Sequence, residues 1–275
     1  MRRRRDGLID AHLHLQMPGL REQADSIIHE ARRAGINLLI VNGTGPEDWP
    51  DVAALAERYP EVVPFFGVHP WKVNELVESG IDWETRLTEY LAQFPEAGVG
   101  EVGLDKWIRD HDIGRQKEVF HRQLIVAEKN DRPVTVHCLQ AWGHLLDCLD
   151  DFSPGTPFLL HSFGGPAEMV DEFVKRGAYF SLSGYFFRPD KKEKREVFSK
   201  IPSGRLLLET DAPDMLPPAG LISKPLEGMD GKEINHPANL LRIYEAWSEE
   251  SGRSLEELIA SCQQNASAFL GGAVD

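Results

Sequence analysis

The chain has 275 residues, 41% hydrophobic and 27% charged, which is enough to bury a sizeable core. Its net charge of −14 excludes an indiscriminate nucleic-acid binder, whose footprint would be basic. No apolar stretch reaches the ~20 residues of a membrane-spanning helix. The three cysteines, Cys138, Cys148 and Cys262, form no C-x-x-C pair, which excludes a zinc ribbon and a disulfide framework.

In chain order, residues 1–6 read as a basic tail. No apolar segment of the signal-peptide kind follows them, so a cytoplasmic protein is expected. Residues 7–275 read as one domain, because no linker, internal repeat or low-complexity tract divides them. Eight short apolar runs are expected as strands: Gly7–Ala11, Asn37–Asn42, Val62–Val68, Gly98–Gly103, Val134–His137, Phe158–His161, Tyr179–Leu182 and Arg205–Glu209. Most lack alternation, as in strands covered on both faces. Amphipathic segments separate them, at about Gly19–Ala34, Asp51–Tyr59, Trp83–Phe94, Arg115–Asn130, Gln140–Asp150, Pro166–Arg176 and Lys191–Lys200. A long loop follows the eighth run, then helices near Pro237–Ser251 and Leu255–Phe269, the last opened by the capping box Ser254-Leu255-Glu256-Glu257. Eight strands alternating with helices predict an α/β fold, a single (β/α)8 TIM barrel with extra C-terminal helices. An open doubly wound sheet is the competitor, but no glycine-rich phosphate loop follows any strand.

In such barrels the chemistry sits at the C-terminal strand ends. Strand one ends in His12 and His14, which at positions i and i+2 point the same way and can reach a single ion. Strands three, four, five, six and eight end in His69, Glu101, His137, His161 and Asp211. A lone histidine there is ordinarily a hydrogen-bonded structural residue. Six strand ends each delivering a His or a carboxylate are hard to explain as packing, since buried ionisable groups are costly without a partner or a metal. Four imidazoles and two carboxylates suit two divalent ions, Zn, Mg or Mn. His12, His14 and Asp211 would hold one and His137 with His161 the other, with Glu101 bridging. Two ions roughly 3.5–4 Å apart acidify a shared water and clamp the attacking and leaving oxygens of a displacement. Asp211 is then the natural acceptor for that water's proton.

The ordered motifs Asp10-Ala11-His12-Leu13-His14, Gly67-Val68-His69-Pro70, Gly100-Glu101-Val102-Gly103-Leu104-Asp105, Pro133-Val134-Thr135-Val136-His137, His161-Ser162-Phe163-Gly164-Gly165 and Leu208-Glu209-Thr210-Asp211-Ala212-Pro213 resemble those of TatD-family metal-dependent hydrolases, within the amidohydrolase-like barrels. The likeness runs from Ile9 to about Leu270. It implies a metal-dependent nuclease or phosphodiesterase acting on DNA, single-stranded or at 3′ ends, in the manner of a 3′–5′ exonuclease. It supports the same six ligand positions and implies that His69 lies beside the substrate phosphate, so the expected catalytic residues are Asp211, Glu101 and His69. No membrane partner is expected, and a monomer is favoured.

The substrate shell departs from the family. Where an Arg commonly follows the strand-five histidine, this chain reads Cys138-Leu139-Gln140-Ala141, and Gln140 lacks the charge and fork an Arg offers a phosphate. Asn235-His236-Pro237 replaces the usual Asn-Glu-Pro, and Asp214 stands where an aromatic is common. Two rival readings therefore share the ligand set: a same-barrel amidohydrolase, esterase or lactonase cleaving a C–N or C–O bond, and a non-catalytic metal-holding interaction protein. Around the rim, Arg188, Lys191 and Lys192 are candidate phosphate contacts, with Lys72, Lys106 and Arg109 further ones, and Phe163 and Tyr185 are candidate pocket walls. Trp71, Trp107 and Trp142 follow strand ends three, four and five. Packing under the loops is their expected role and stacking on a base the alternative. Glu209 is expected to orient a ligand or bind backbone.

Overall fold

β1 (Leu8–Leu13), β2 (Ile36–Asn42), β3 (Val62–Phe66), β4 (Gly98–Asp105), β5 (Val134–Leu139), β6 (Phe158–Leu160), β7 (Ala178–Ser183) and β8 (Leu206–Glu209) form one parallel sheet in sequential order. The computed structural model describes residues 7–150 and 156–272, so the expected basic tail lies outside the described residues. Helices α1 (Ala24–Arg33), α2 (Trp49–Arg58), α3 (Val73–Ser79), α4 (Trp83–Gln93), α5 (Ile113–Lys129), α6 (Trp142–Leu149), α7 (Val170–Lys175) and α8 (Lys192–Glu196) fill the crossovers, and α9 (Leu240–Ser251) with α10 (Leu255–Phe269) follow β8. The sheet closes on itself: the Asp211 N–H donates to the His12 carbonyl at 2.9 Å and the His14 N–H to the Ala212 carbonyl at 2.7 Å. This is a (β/α)8 barrel.

The apolar runs form strands here because both faces are covered. Each of β1, β3, β4, β6, β7 and β8 is buried along its whole length. Eight of the nine segments expected to be helical carry their helix within a few residues, and α10 begins where its capping box predicts: Ser254 Oγ accepts from Glu257 N–H, and Glu257 Oε2 accepts from Ser254 N–H. The ninth, Lys191–Lys200, is α-helical only over α8, with short 3-10 turns on either side. Two elements were not expected, α3 and a small antiparallel hairpin, β9 (Leu226–Glu227) with β10 (Glu233–Ile234), in the long loop after β8. Among the described residues no helix is long and apolar enough to cross a membrane.

One glycine shapes the site directly. Gly103 pairs with His137 across β4–β5 at φ +143°, and a Cβ there would run into the His137 carbonyl oxygen. Only glycine lets the two strands approach closely enough to set the height of His137 on the rim.

Candidate metal centre

The C-terminal rim gathers His12, His14, His69, Glu101, His137, His161 and Asp211 into one cluster, buried but for the half-buried His137. Glu101 lies at its middle, 2% exposed, and its two oxygens look opposite ways. Oε2 faces His12 Nε2 at 3.3 Å and His14 Nε2 at 3.2 Å. Oε1 faces His161 Nε2 at 2.8 Å, His137 Nδ1 at 3.0 Å and His69 Nε2 at 3.4 Å. Asp211 Oδ1 completes the first group, 3.4 Å from His12 Nε2 and 3.6 Å from His14 Nε2. The six residues expected as ligands are thus brought together, and His69 joins them.

Outer partners decide which ring nitrogen points inward bare. His14 Nδ1 meets the Asn42 carbonyl at 2.8 Å, and a carbonyl only accepts, so the proton sits on Nδ1 and Nε2 presents a lone pair to the cluster. His137 Nε2 donates to Asp105 Oδ2 at 2.9 Å, leaving Nδ1 bare. His161 Nδ1 lies 3.7 Å from Glu209 Oε1, and Glu209 is itself held by the Ser162 N–H at 2.8 Å and by the Ser181 hydroxyl. His69 is the opposite case. Its Nδ1 accepts the Trp71 N–H at 3.1 Å, so the neutral ring carries its proton on Nε2 and is a donor toward the cluster. That separates His69 from the others despite its proximity.

The bare nitrogens of His14 and His137 face Glu101 oxygens at 3.2 and 3.0 Å as acceptors facing acceptors, and need a cation between them. The donor set, neutral imidazole plus carboxylate, fits divalent metal. From the protein groups alone, protons fill that role. Burial lowers His14, but the hydrogen bond and charge of Glu101, with Asp211, outweigh it and raise the ring to about 9. His161 is likewise buried yet driven well above its ordinary value by Glu101. Burial opposes ionisation of Glu101, and His161, His69 and His12 overcome it and hold the carboxyl well below the usual range. Burial depresses His12 to about 3 and His69 to about 4 and lifts Asp211 to about 7.

The TatD related DNase family model matches residues 9–271 of this sequence. The chain belongs to the TatD related DNase family. Among TatD relatives, the 3'-5' ssDNA/RNA exonuclease TatD of Citrobacter rodentium is 30% identical over 274 residues, 96% of this chain and 98% of its own. The deoxyribonuclease TATDN3 of Homo sapiens is 28% identical over 277 residues, covering 94% and 93%. The crystal structure of YjjV, a TatD homologue of Escherichia coli, superposes with a TM-score of 0.83 at 29% identity, over 96% of this chain and 98% of that one.

At the TatD rim the structure corrects one expected pocket residue. Phe163 is fully buried, edge-on to Trp142, Phe173 and Phe180, so it belongs to the core beneath the rim and not to a pocket wall. Lys192 is exposed and lies 3.9 Å from Glu196 on its own helix. Arg188 and Lys191 both lie over the Tyr185 ring, at 5.4 and 5.1 Å from its centre. Trp142 packs as expected, whereas Trp71 and Trp107 do not, being 53% and 61% exposed. His236, in the altered Asn-His-Pro, is buried and caps a turn by accepting the Ala238 N–H at 2.9 Å. Sequence reasoning assigned nothing to Asn42 or Asp105, although Asp105 closes the quoted strand-four motif and was the available signal.

Proposed function

We propose that this chain hydrolyses phosphodiester bonds of single-stranded DNA or RNA, working from 3′ ends, with two divalent ions, Zn, Mg or Mn. The observation that carries the reading is the division of Glu101, one oxygen before His12 and His14, the other before His137 and His161. His12, His14 and Asp211 would hold one ion, His137 and His161 the second, and Glu101 would bridge them. When bound, such a pair acidifies the attacking water and neutralises charge on the phosphate.

The protein groups do the rest. Asp211, whose carboxyl burial has already lifted to about 7, accepts the proton of the attacking water at Oδ1. His69 offers its Nε2–H to a phosphate oxygen, because its Nδ1 is engaged by the Trp71 backbone. Asn42 and Asp105 keep the imidazoles of His14 and His137 in the tautomers that face inward, and the Glu209 carboxylate lies 3.7 Å behind His161 Nδ1. Arg188, carried on Tyr185 beside the Lys191–Asp190 ion pair (3.1 Å), steers the phosphate backbone toward an otherwise acidic protein.

Hydrolysis of a 3′-labelled single-stranded oligonucleotide in Mg, Mn or Zn tests the reading, with Glu101→Ala and Asp211→Asn alongside. Stepwise shortening by the wild type, lost in both variants, is expected. Intact DNA and RNA under every metal overturns it and transfers the site to ester and amide substrates.

A further inference from the structure

Three of the six exposed large apolar side chains among the described residues lie on neighbouring strand ends of the site rim: Trp71 after β3, Trp107 after β4 and Leu139 at the end of β5. Half-exposed tryptophans are costly to leave in water and are seldom left without a partner. A single buried carboxylate organises them. Asp105 Oδ2 accepts the Trp71 indole N–H at 2.7 Å and the His137 Nε2–H at 2.9 Å, while Oδ1 accepts the backbone N–H groups of Trp107 at 2.7 Å and Ile108 at 3.2 Å. The Trp71 ring also stands edge-on to His69, 5.1 Å between centres. The Lys106 N–H ties the same loop to the Leu139 carbonyl at 2.9 Å.

The charges beside these rings point to the occupant. Lys72 is paired with Glu47 at 3.0 Å. Lys106 and Arg109, on either side of Trp107, are exposed and make no ion pair among the described residues. In a chain of net charge −14, two planar rings with uncommitted cations on either side of one of them suit a ligand of alternating flat bases and phosphates.

We propose that Trp71 and Trp107 form a stacking platform for the bases of the single-stranded substrate next to the scissile phosphate, held in register with the reaction centre through Asp105. The proposal rests on the phosphodiesterase reading of the site and assigns its base-contacting surface. Stacking is indifferent to sequence, so the platform favours unpaired strands over duplex without choosing a base.

The test compares an oligothymidylate with an oligomer of the same length whose internal residues are abasic tetrahydrofuran, which keeps the phosphates and removes the bases. Trp71→Ala and Trp107→Ala are each expected to raise KM for the oligothymidylate about tenfold, the ordinary worth of one stacked base, with kcat within about twofold. KM for the abasic oligomer moves several-fold less; Trp107→Phe recovers most of the loss, and Trp71→Phe, which loses the indole N–H to Asp105, recovers less. An unmoved oligothymidylate KM, or equal weakening on both substrates, overturns the platform. A binding arm in EDTA is independent of turnover. Oligothymidylate is expected to quench the intrinsic fluorescence of the wild type, and the Trp71→Phe, Trp107→Phe double variant is expected to lose that quench. A wild type that binds and quenches without cleaving any strand refutes the activity and leaves the platform standing; one that neither binds nor quenches refutes the platform.

Discussion

The backbone hydrogen bond from Asp211 N–H to the His12 carbonyl joins the last strand end to the first. It closes the barrel, and it also fixes the separation of two candidate ligands that lie far apart in the chain. Asp10 reinforces the seam, its carboxylate accepting the Thr210 N–H and hydroxyl at 2.8 and 2.5 Å. The group proposed to hold the first ion, His12, His14 and Asp211, is therefore part of the barrel's closure, and no loop movement is needed to assemble it.

Glu101→Gln removes the negative charge that faces both histidine groups while nearly keeping its shape. The variant is expected to purify with less than half the metal of the wild type by elemental analysis. Its activity should fall by more than about 10²-fold, beyond what losing an outer hydrogen-bond partner costs. Wild-type metal content in the variant would show that Glu101 does not bridge.

Asp105→Asn tests an outer partner. Burial opposes ionisation of this carboxyl, but hydrogen bonds from His137 and Trp71 hold it at about 2, so it is charged throughout the working range. The amide can no longer fix the His137 tautomer and seat Trp71 at once. Metal affinity or activity should drop about 10–100-fold, with the melting temperature little changed. A full-strength enzyme would dismiss Asp105 as a positioning residue.

The pH dependence has a definite sign. His14 is raised from 6.5 to about 9 in the folded chain, and His137 and His161 are raised too, by Asp105 and Glu101 against the opposing effect of burial. A group raised on folding contributes stability that is complete below its unfolded value and lost as pH rises through the folded one. Asp211, lifted by burial to about 7, acts in the same sense. His12 and His69, depressed by burial to about 3 and 4, give their full contribution above pH 6.5 and do not offset the loss. The melting temperature of EDTA-treated protein should therefore fall between pH 6.5 and 9. Saturating Mn should flatten the curve, because divalent cations replace the protons. A Tm that holds or rises over this window in EDTA would contradict the cluster's electrostatics.

The barrel was legible because its strands are buried on both faces, which leaves unbroken runs such as Asn37–Asn42 and Phe158–His161 in the sequence. The ligand set was legible because its members lie within or just beyond such runs: Glu101 inside β4, the others near or just past a strand end. What was not legible depends on side-chain partners far apart in sequence. Nothing near His69 says that a backbone N–H two residues on takes its Nδ1. Nothing near Trp71 says that Asp105 will hold its indole nitrogen and leave the ring in solvent. Phe163 failed for the same reason: a residue two places after a site histidine can turn inward as easily as out, and Ser162, between them at φ +42°, redirects the chain.

Phe163 supplies the last prediction. It has no exposure and is wedged among Trp142, Phe173 and Phe180, with ring centres 4.9, 6.2 and 5.0 Å away. Phe163→Ala should cost about 3–5 kcal/mol, a fall of about 10 °C in melting temperature for a chain of this size. A pocket wall would behave differently, raising KM with little change in Tm. Calorimetry beside steady-state kinetics separates the two. Because the ring is buried among core aromatics and not exposed to a substrate, the folded variant should keep its KM while it melts early.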